Sequence, residues 1–295
     1  MTNNIKGIIP AVLTPFDKHE NIDINAFKEL LNYLMDKGVH GLFILGSQGE
    51  FYALTLDECK KLMDAAVSVK RENIPIYAGI GRITTRETIE LAKYALDVGI
   101  DYGVVVTPFY VRLTQKELEE HYKKIAESVE LKILLYNNPS NTNINLEPDT
   151  VYRLRDISNI VGIKESTPYF SQLVELIQKC RSAKFHILVG LECHILGGLL
   201  LGADGAVVAS ANAIPDILVS LYENFTEGNL GEAIKLQQKV NEFFNLFKYG
   251  TFPGILKDIM EIMGFQYGKA RSPVKSITRK AREEIRFRLK ILGLL

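Results

Sequence analysis

With 295 residues, 47% of them hydrophobic and 24% charged, the chain has the make-up of a globular protein that buries a large core, which excludes disorder as its main state. Its 35 Lys and Arg balance its 35 Asp and Glu, so no net field gathers a polyanion or a membrane surface, and neither nucleic acid nor membrane is an expected partner. Three cysteines, Cys59, Cys180 and Cys193, make neither a disulfide framework nor a metal-ligand spacing, and the five histidines include no HExxH arrangement, so nothing asks for a bound metal.

The opening MTNNIKGIIP lacks the basic start and apolar stretch of a secretory signal, and no apolar run reaches about 18 residues, so a cytoplasmic protein is expected. A short β-branched apolar run followed by a longer segment with apolar residues at helical spacing then recurs eight times. Strands are predicted near residues 7–13, 41–45, 75–78, 102–107, 132–136, 160–163, 186–189 and 206–209. Helices such as 25–37, 56–70, 85–98 and 115–129 lie between them. Strand, helix and strand again implies parallel pairing through right-handed crossovers, and eight such units close a (β/α)₈ barrel, the α/β fold expected over residues 1–226. A doubly wound open sheet is the alternative, weakened because no GxGxxG follows the first strand. After the eighth round the alternation stops. Residues 230–248, 255–263 and 275–292 read as helices, a C-terminal helical extension over residues 227–295 whose apolar stripes suit packing on the barrel or on a second subunit. A homo-oligomer is expected, with a helical cap on a monomer as the alternative.

In a parallel barrel the reactive groups gather at the carboxyl ends of the strands, which turns the strand list into a site list. Lys164 closes the run Ile160-Val161-Gly162-Ile163, so its side chain is expected to start from an apolar wall and point to the barrel mouth. Burial there disfavours the ammonium form and frees a nucleophile able to condense with a carbonyl; the alternative is a lysine that snorkels to water or pairs with Glu165. Tyr136 ends the neighbouring strand, where a phenol can shuttle protons, or can be an interior aromatic with a satisfied hydroxyl. The GSQGE segment, Gly46 to Glu50, exposes backbone N–H groups with a hydroxyl and an amide that suit a carboxylate, although glycine turns also follow strands for steric reasons alone. Arg82, Arg86 and Arg112 are candidates to reach a phosphate, with solvated surface arginines as the alternative.

Six ordered motifs carry a resemblance over nearly the whole chain: GIIPAVLTPF at the start, GSQGE with Ala53-Leu54 beyond it, VTPFY ending at Tyr110, LLYNNP around Tyr136, GIKEST around Lys164, and LGADGAVVASAN from Leu201 to Asn212. On them the chain resembles the dihydrodipicolinate synthase and N-acetylneuraminate lyase superfamily, the Schiff-base, pyruvate-dependent aldolases of class I. The resemblance implies Lys164 as the Schiff-base lysine and Tyr136 as proton donor and acceptor. It implies that Ser47 links Tyr136 to Tyr110 in a proton relay, with Tyr110 entering from a neighbouring subunit. Ser47 and Gln48, helped by backbone groups near Gly190 and Val207, would hold the pyruvate carboxylate. A homotetramer built as a dimer of dimers, with no metal or organic cofactor, is likewise implied.

Departures from the motifs sort the members. Dihydrodipicolinate synthases place an arginine for the second substrate's carboxylate where this chain has Asn141, and asparagine lacks the cationic fork a carboxylate prefers. N-acetylneuraminate lyases carry adjacent acidic residues where this chain has Glu192 followed by Cys193, and an uncharged residue then threonine after the lysine where it has Glu165-Ser166. The expected activity is therefore that of a 2-keto-3-deoxy sugar acid aldolase, splitting a compound such as 2-keto-3-deoxygluconate into pyruvate and an aldehyde, with Asn138, Asn141, Ser166 and Glu192 suited to polyol hydroxyls. The alternatives are 4-hydroxy-tetrahydrodipicolinate synthase, keto-deoxy-glucarate dehydratase and N-acetylneuraminate lyase, or, in another class, a non-catalytic barrel that binds a 2-oxo acid.

Overall fold

Eight short strands, β1 (Gly7–Pro10), β2 (Leu42–Ile44), β3 (Ile76–Gly79), β4 (Tyr102–Val106), β5 (Lys132–Asn137), β6 (Ile160–Glu165), β7 (His186–Val189) and β8 (Gly205–Val208), pair in parallel in the order β1-β8-β7-β6-β5-β4-β3-β2. A parallel bridge from Ala11 to Phe43, with the Val12 N–H donating to the Phe43 carbonyl at 2.8 Å, brings β1 round to β2. The result is the expected (β/α)₈ barrel, seen in a computed structural model that describes residues 5–295; the first four residues of the MTNNIKGIIP opening lie outside the described residues.

The helices are α1 (Ile24–Asp36), α2 (Leu56–Val67), α3 (Thr85–Val98), α4 (Gln115–Ser128), α5 (Pro139–Thr142), α6 (Pro148–Leu154), α7 (Phe170–Cys180), α8 (Ile195–Leu201), α9 (Pro215–Thr226), α10 (Leu230–Phe244), α11 (Gly254–Ile262) and α12 (Arg279–Ile291). Local chemistry sets their starts. Thr55 and Thr114 each accept from the backbone N–H three residues on, while Glu58 and Glu117 reach back to the cap N–H, so α2 and α4 begin on complete capping boxes. Thr278 caps α12 in the same way at Ala281, which starts that helix at Arg279 and leaves residues 275–278, expected within it, outside. Among the described residues no helix is long and apolar enough to cross a membrane. Helix α10 packs on α9 and on the 3₁₀ turn Glu192–His194, and α11 packs on α12.

Two apolar layers hold the fold. One lies between the sheet and the helices; the other fills the barrel interior with Ile9, Phe43, Tyr77, Tyr102, Val104, Leu134, Val161 and their neighbours. Side chains alternate between these layers along each strand. On β6 the alternation is broken. Ile133 pairs with Ile160, but Leu134 pairs with Gly162, so Val161 is an extra residue in β6 at that point. Such a bulge moves every later side chain to the opposite face. Val161 and Lys164 consequently both face the interior, while Ile163 and Glu165 face the helices.

Gly162, in the middle of this irregularity, lies against β7: a Cβ there would fall 2.5 Å from the His186 carbonyl oxygen. Backbone cannot retreat as a side chain can. Gly162→Ala is expected to lower the unfolding free energy by about 2–4 kcal/mol, and a urea midpoint equal to that of the parent protein would show that β6 does not need this approach.

Candidate active site

The bulge sets Tyr136 of β5 and Lys164 of β6 side by side in register at the carboxyl end of the barrel. Lys164 is 5% exposed, its amine 4.2 Å from the centroid of the Tyr136 ring and 5.0 Å from that of Phe43, so ring faces take the place of water around it. No carboxylate lies within ion-pair distance of this amine among the described residues. Glu165, the neighbour in sequence, points the other way. Its carboxylate accepts from Asn137 Nδ2 at 3.1 Å, the Thr167 N–H at 2.6 Å and Gln172 Nε2 at 3.2 Å, and burial, opposed by these donors, pushes it up to about 7.

The Tyr136 hydroxyl receives a hydrogen bond from Asn138 Nδ2 at 2.9 Å and lies 3.5 Å from Ser47 Oγ. Burial alone would push this phenol up. The charge of Lys164, with hydrogen bonds from Ser47, Lys164 and Ser166, outweighs burial and holds it below the usual tyrosine range.

Ser47 is carried by the turn after β2. Gly46 fits against the Phe43 ring, where a Cβ would come within 2.6 Å of a ring carbon, and Glu50 takes a left-handed conformation at φ 57°. Contacts from outside fix the turn: Thr14 Oγ1 donates to the Gly49 carbonyl at 2.7 Å, and Gln48 Nε2 donates to the Pro253 carbonyl at 3.2 Å. Glu50 meets Lys257 Nζ at 2.7 Å and the Arg271 N–H at 3.0 Å. Burial pushes Lys257 down to about 8, against the opposing pull of Glu50.

On the opposite wall Ser166 Oγ donates to the Gly190 carbonyl at 3.3 Å, and a Cβ on Gly190 would overlap Ser166 Oγ at 2.0 Å, which explains the glycine. Glu192, expected to meet substrate hydroxyls, is engaged through one of its two oxygens. Its Oε1 accepts from the N–H groups of Ala209 and Ser210, both at 3.0 Å, and from Ser210 Oγ at 2.9 Å, bracing the exit of β8.

A cavity of about 440 Å³ joins these walls. Ser47, Gln48, Tyr136, Asn138, Lys164, Ser166, Gly190, Glu192 and Val207 all line it, so nearly every residue singled out in the sequence meets here. Tyr110 does not: it is 91% exposed at φ 80° and stands outside the cavity. Arg82, Arg86 and Arg112 do not line it either, and Arg82 donates to the Phe51 carbonyl at 3.0 Å. Lys164 is the one Lys or Arg among the described lining residues. The outer part is walled by Phe244, Phe247 and Phe252 from the C-terminal region, which the sequence did not single out, beside Ser140, Asn141, Cys193 and His194. Their only sequence signal is an aromatic cluster after the last barrel helix, which reads equally as packing. A second hollow of about 420 Å³, lined by Phe51, Tyr52, Val106 and Phe109, shares Ser47, Asn141 and Phe252 with the first.

The sequence profile of the Dihydrodipicolinate synthetase family matches residues 4–292. The chain is 35% identical over 291 residues to the 4-hydroxy-tetrahydrodipicolinate synthase of Methanocaldococcus jannaschii, covering 98% of this chain and 99% of the relative. It is 33% identical over 294 residues to a protein of Escherichia coli K12 named "Probable 2-dehydro-3-deoxy-D-pentonate aldolase YjhH", covering 98% of each. The crystal structure of E. coli K12 YagE, a member of the dihydrodipicolinic acid synthase family in complex with pyruvate, superposes with a TM-score of 0.95 at 31% identity over 99% of both chains.

Glu165 offers a measurement independent of any ligand. A carboxyl raised from 4.5 to about 7 keeps its proton in the folded state where the unfolded chain has lost it. Stability from this group is therefore full below pH 4.5, falls as pH rises towards 7 and is flat above, a change of about 3 kcal/mol. Urea unfolding of the parent protein should lose about 2–3 kcal/mol more between pH 5 and pH 8 than that of Glu165→Gln. Parallel pH profiles for the two proteins would refute the assignment.

Proposed function

The chain belongs to the Dihydrodipicolinate synthetase family, whose members are pyruvate-dependent lyases, and from that premise we propose that it is a class I aldolase cleaving a 2-keto-3-deoxy sugar acid, such as 2-keto-3-deoxygluconate, to pyruvate and an aldehyde through a Schiff base on Lys164. The observation that carries the reading is the pairing of a buried amine, free of any carboxylate partner among the described residues, with a phenol of lowered proton affinity at one end of a cavity.

In the proposed reaction the Lys164 ammonium gives its proton to the Tyr136 phenolate and the freed amine attacks the C2 carbonyl; Tyr136 then passes that proton to the carbinolamine hydroxyl so that it leaves as water. The protonated imine is an electron sink. Tyr136, now phenolate, accepts the C4 hydroxyl proton; the C3–C4 pair moves into the imine, leaving an enamine on Lys164 and a free aldehyde. Protonation at C3 and hydrolysis release pyruvate and restore the amine. The backbone of the Ser47–Gln48 turn, with groups near Gly190 and Val207, holds the carboxylate. The partner's Tyr110 enters the hollow beside Ser47 and completes a relay to solvent, in a homotetramer built as a dimer of dimers. The substrate's hydroxyls meet Asn138, Asn141 and Ser166, while Glu192 shapes that wall through its bonds to β8.

The names of several relatives favour a second reading, 4-hydroxy-tetrahydrodipicolinate synthase. That reaction brings in a second carboxylate, and the outer cavity holds Asn141 and no arginine or further lysine for it.

Borohydride reduction in the presence of pyruvate, followed by peptide mass analysis, should place the adduct on Lys164, with none on Lys164→Arg; an unmodified Lys164 in folded protein would remove the mechanism. Tyr136→Phe should lower kcat about 10²–10⁴-fold. Turnover of keto-deoxygluconate and keto-deoxygalactonate, each with and without phosphate, against condensation of pyruvate with aspartate semialdehyde, separates the two readings. Exclusive consumption of aspartate semialdehyde would decide for the synthase.

A further inference from the structure

The Glu50–Lys257 ion pair is the most deeply buried in the described structure, with side-chain exposures of 1% and 0%, and it joins residues 207 apart. A buried pair of this kind gains little stability over well-packed apolar side chains of the same size. Its location suggests another use. Glu50 ends the turn that carries Ser47, and Lys257 lies in α11, four residues after Pro253, whose carbonyl receives Gln48 Nε2. Both contacts come from one end of one helix. Lys257 also donates to the Lys269 carbonyl at 3.1 Å and lies over the Phe16 ring at 4.2 Å, so its ammonium is oriented from three sides. The second Glu50 oxygen accepts the Arg271 N–H. Within the turn, Gly49 is held from Thr14, Gln48 and Glu50 from the C-terminal region, and the Ser47 hydroxyl is left to face Tyr136.

We infer that Lys257 is a positioning residue: paired with Glu50 inside the protein, it clamps the turn after β2 so that Ser47 stays within reach of the Tyr136 phenol. The C-terminal region thereby sets the proton affinity of a group housed in the barrel. This rests on the role given to Tyr136 above, but the turn geometry can be read without any turnover.

The test uses the full-length protein with ¹³C-labelled tyrosine, the Tyr136 signal being the one missing from Tyr136→Phe. In the parent protein it should titrate below the ordinary phenol value. Glu50→Leu with Lys257→Met removes both charges together and keeps side-chain volume, so no lone charge is stranded; the Tyr136 midpoint should then rise by roughly 1–2 pH units, the size of one lost hydrogen bond to an ionised group. The rate of borohydride trapping at sub-saturating pyruvate should fall about tenfold for the same reason. If the double variant does not fold, Glu50→Gln, which keeps an acceptor for Arg271 beside an amine already poised to lose its proton, provides the same titration with a smaller rise. A folded variant whose Tyr136 titrates as in the parent overturns the inference. Failure to trap pyruvate in the parent protein would instead overturn the aldolase reading and leave the titration to decide the role of Lys257.

Discussion

One extra residue in β6 decides which face of the barrel wall receives Lys164. Without Val161 out of register, Ile163 would stand opposite Tyr136 inside the barrel, and Lys164 would lie in the layer between sheet and helices. The bulge thus separates two adjacent ionisable groups into different surroundings. Among the described residues Lys164 enters a cage of aromatic faces with no carboxylate, and Glu165 enters a ring of amide and backbone donors with no cation. Were both on one side they would pair, and each would neutralise the other. Separation costs desolvation on both sides of the sheet, which a barrel whose residues around this pair are 0–5% exposed withstands only because every donor facing Glu165 is already placed.

A second constraint comes from outside the barrel. The turn after β2 contains a non-glycine left-handed residue, Glu50, and its backbone would relax if its side chain were not held. The chain meets this by returning about two hundred residues later to place α11 against the turn, and the same return lays Phe244, Phe247 and Phe252 over the cavity. The C-terminal helices therefore complete the site wall as well as cover the barrel.

Much of this was legible beforehand because it depends on short-range pattern. Strand and helix alternation and the position of Lys164 and Tyr136 at strand ends follow from local periodicity. The inward direction of Lys164 was expected only from its place at a strand end, whereas simple alternation from Ile160 would have turned it outward; Gly162, an isolated glycine in a strand, was the available sign of a bulge. Illegible were the contacts that close over long separations: Gln48 to Pro253, Glu50 to Lys257, and the capture of Glu192 by the N–H groups leaving β8. A glutamate in a loop has no local signature of meeting backbone donors through one oxygen, because those donors are supplied by a different turn of the barrel.

The lining of the outer cavity bears on how the reaction would partition under the proposed chemistry. Once the imine has formed, cleavage needs a base at the C4 hydroxyl, whereas dehydration needs one at the C3 hydrogen and an acid for the leaving hydroxyl. Both demands fall on the same phenol. Its hydroxyl is fixed on two sides, by Asn138 at 2.9 Å and Ser47 at 3.5 Å, so the substrate must choose the geometry by how its far end sits. The cavity that would receive that end is lined by three phenylalanine rings together with the amides of Asn138 and Asn141 and the Ser140 hydroxyl. A polyol chain, with C–H groups along one edge and hydroxyls along another, can satisfy both kinds of lining at once, and the pose it adopts brings either its C4 oxygen or its C3 hydrogen to Tyr136. Under the proposed chemistry, reaction outcome would be a property of the outer wall, whose residues come largely from the C-terminal region and the loop after β5, while the barrel interior would supply chemistry common to both reactions.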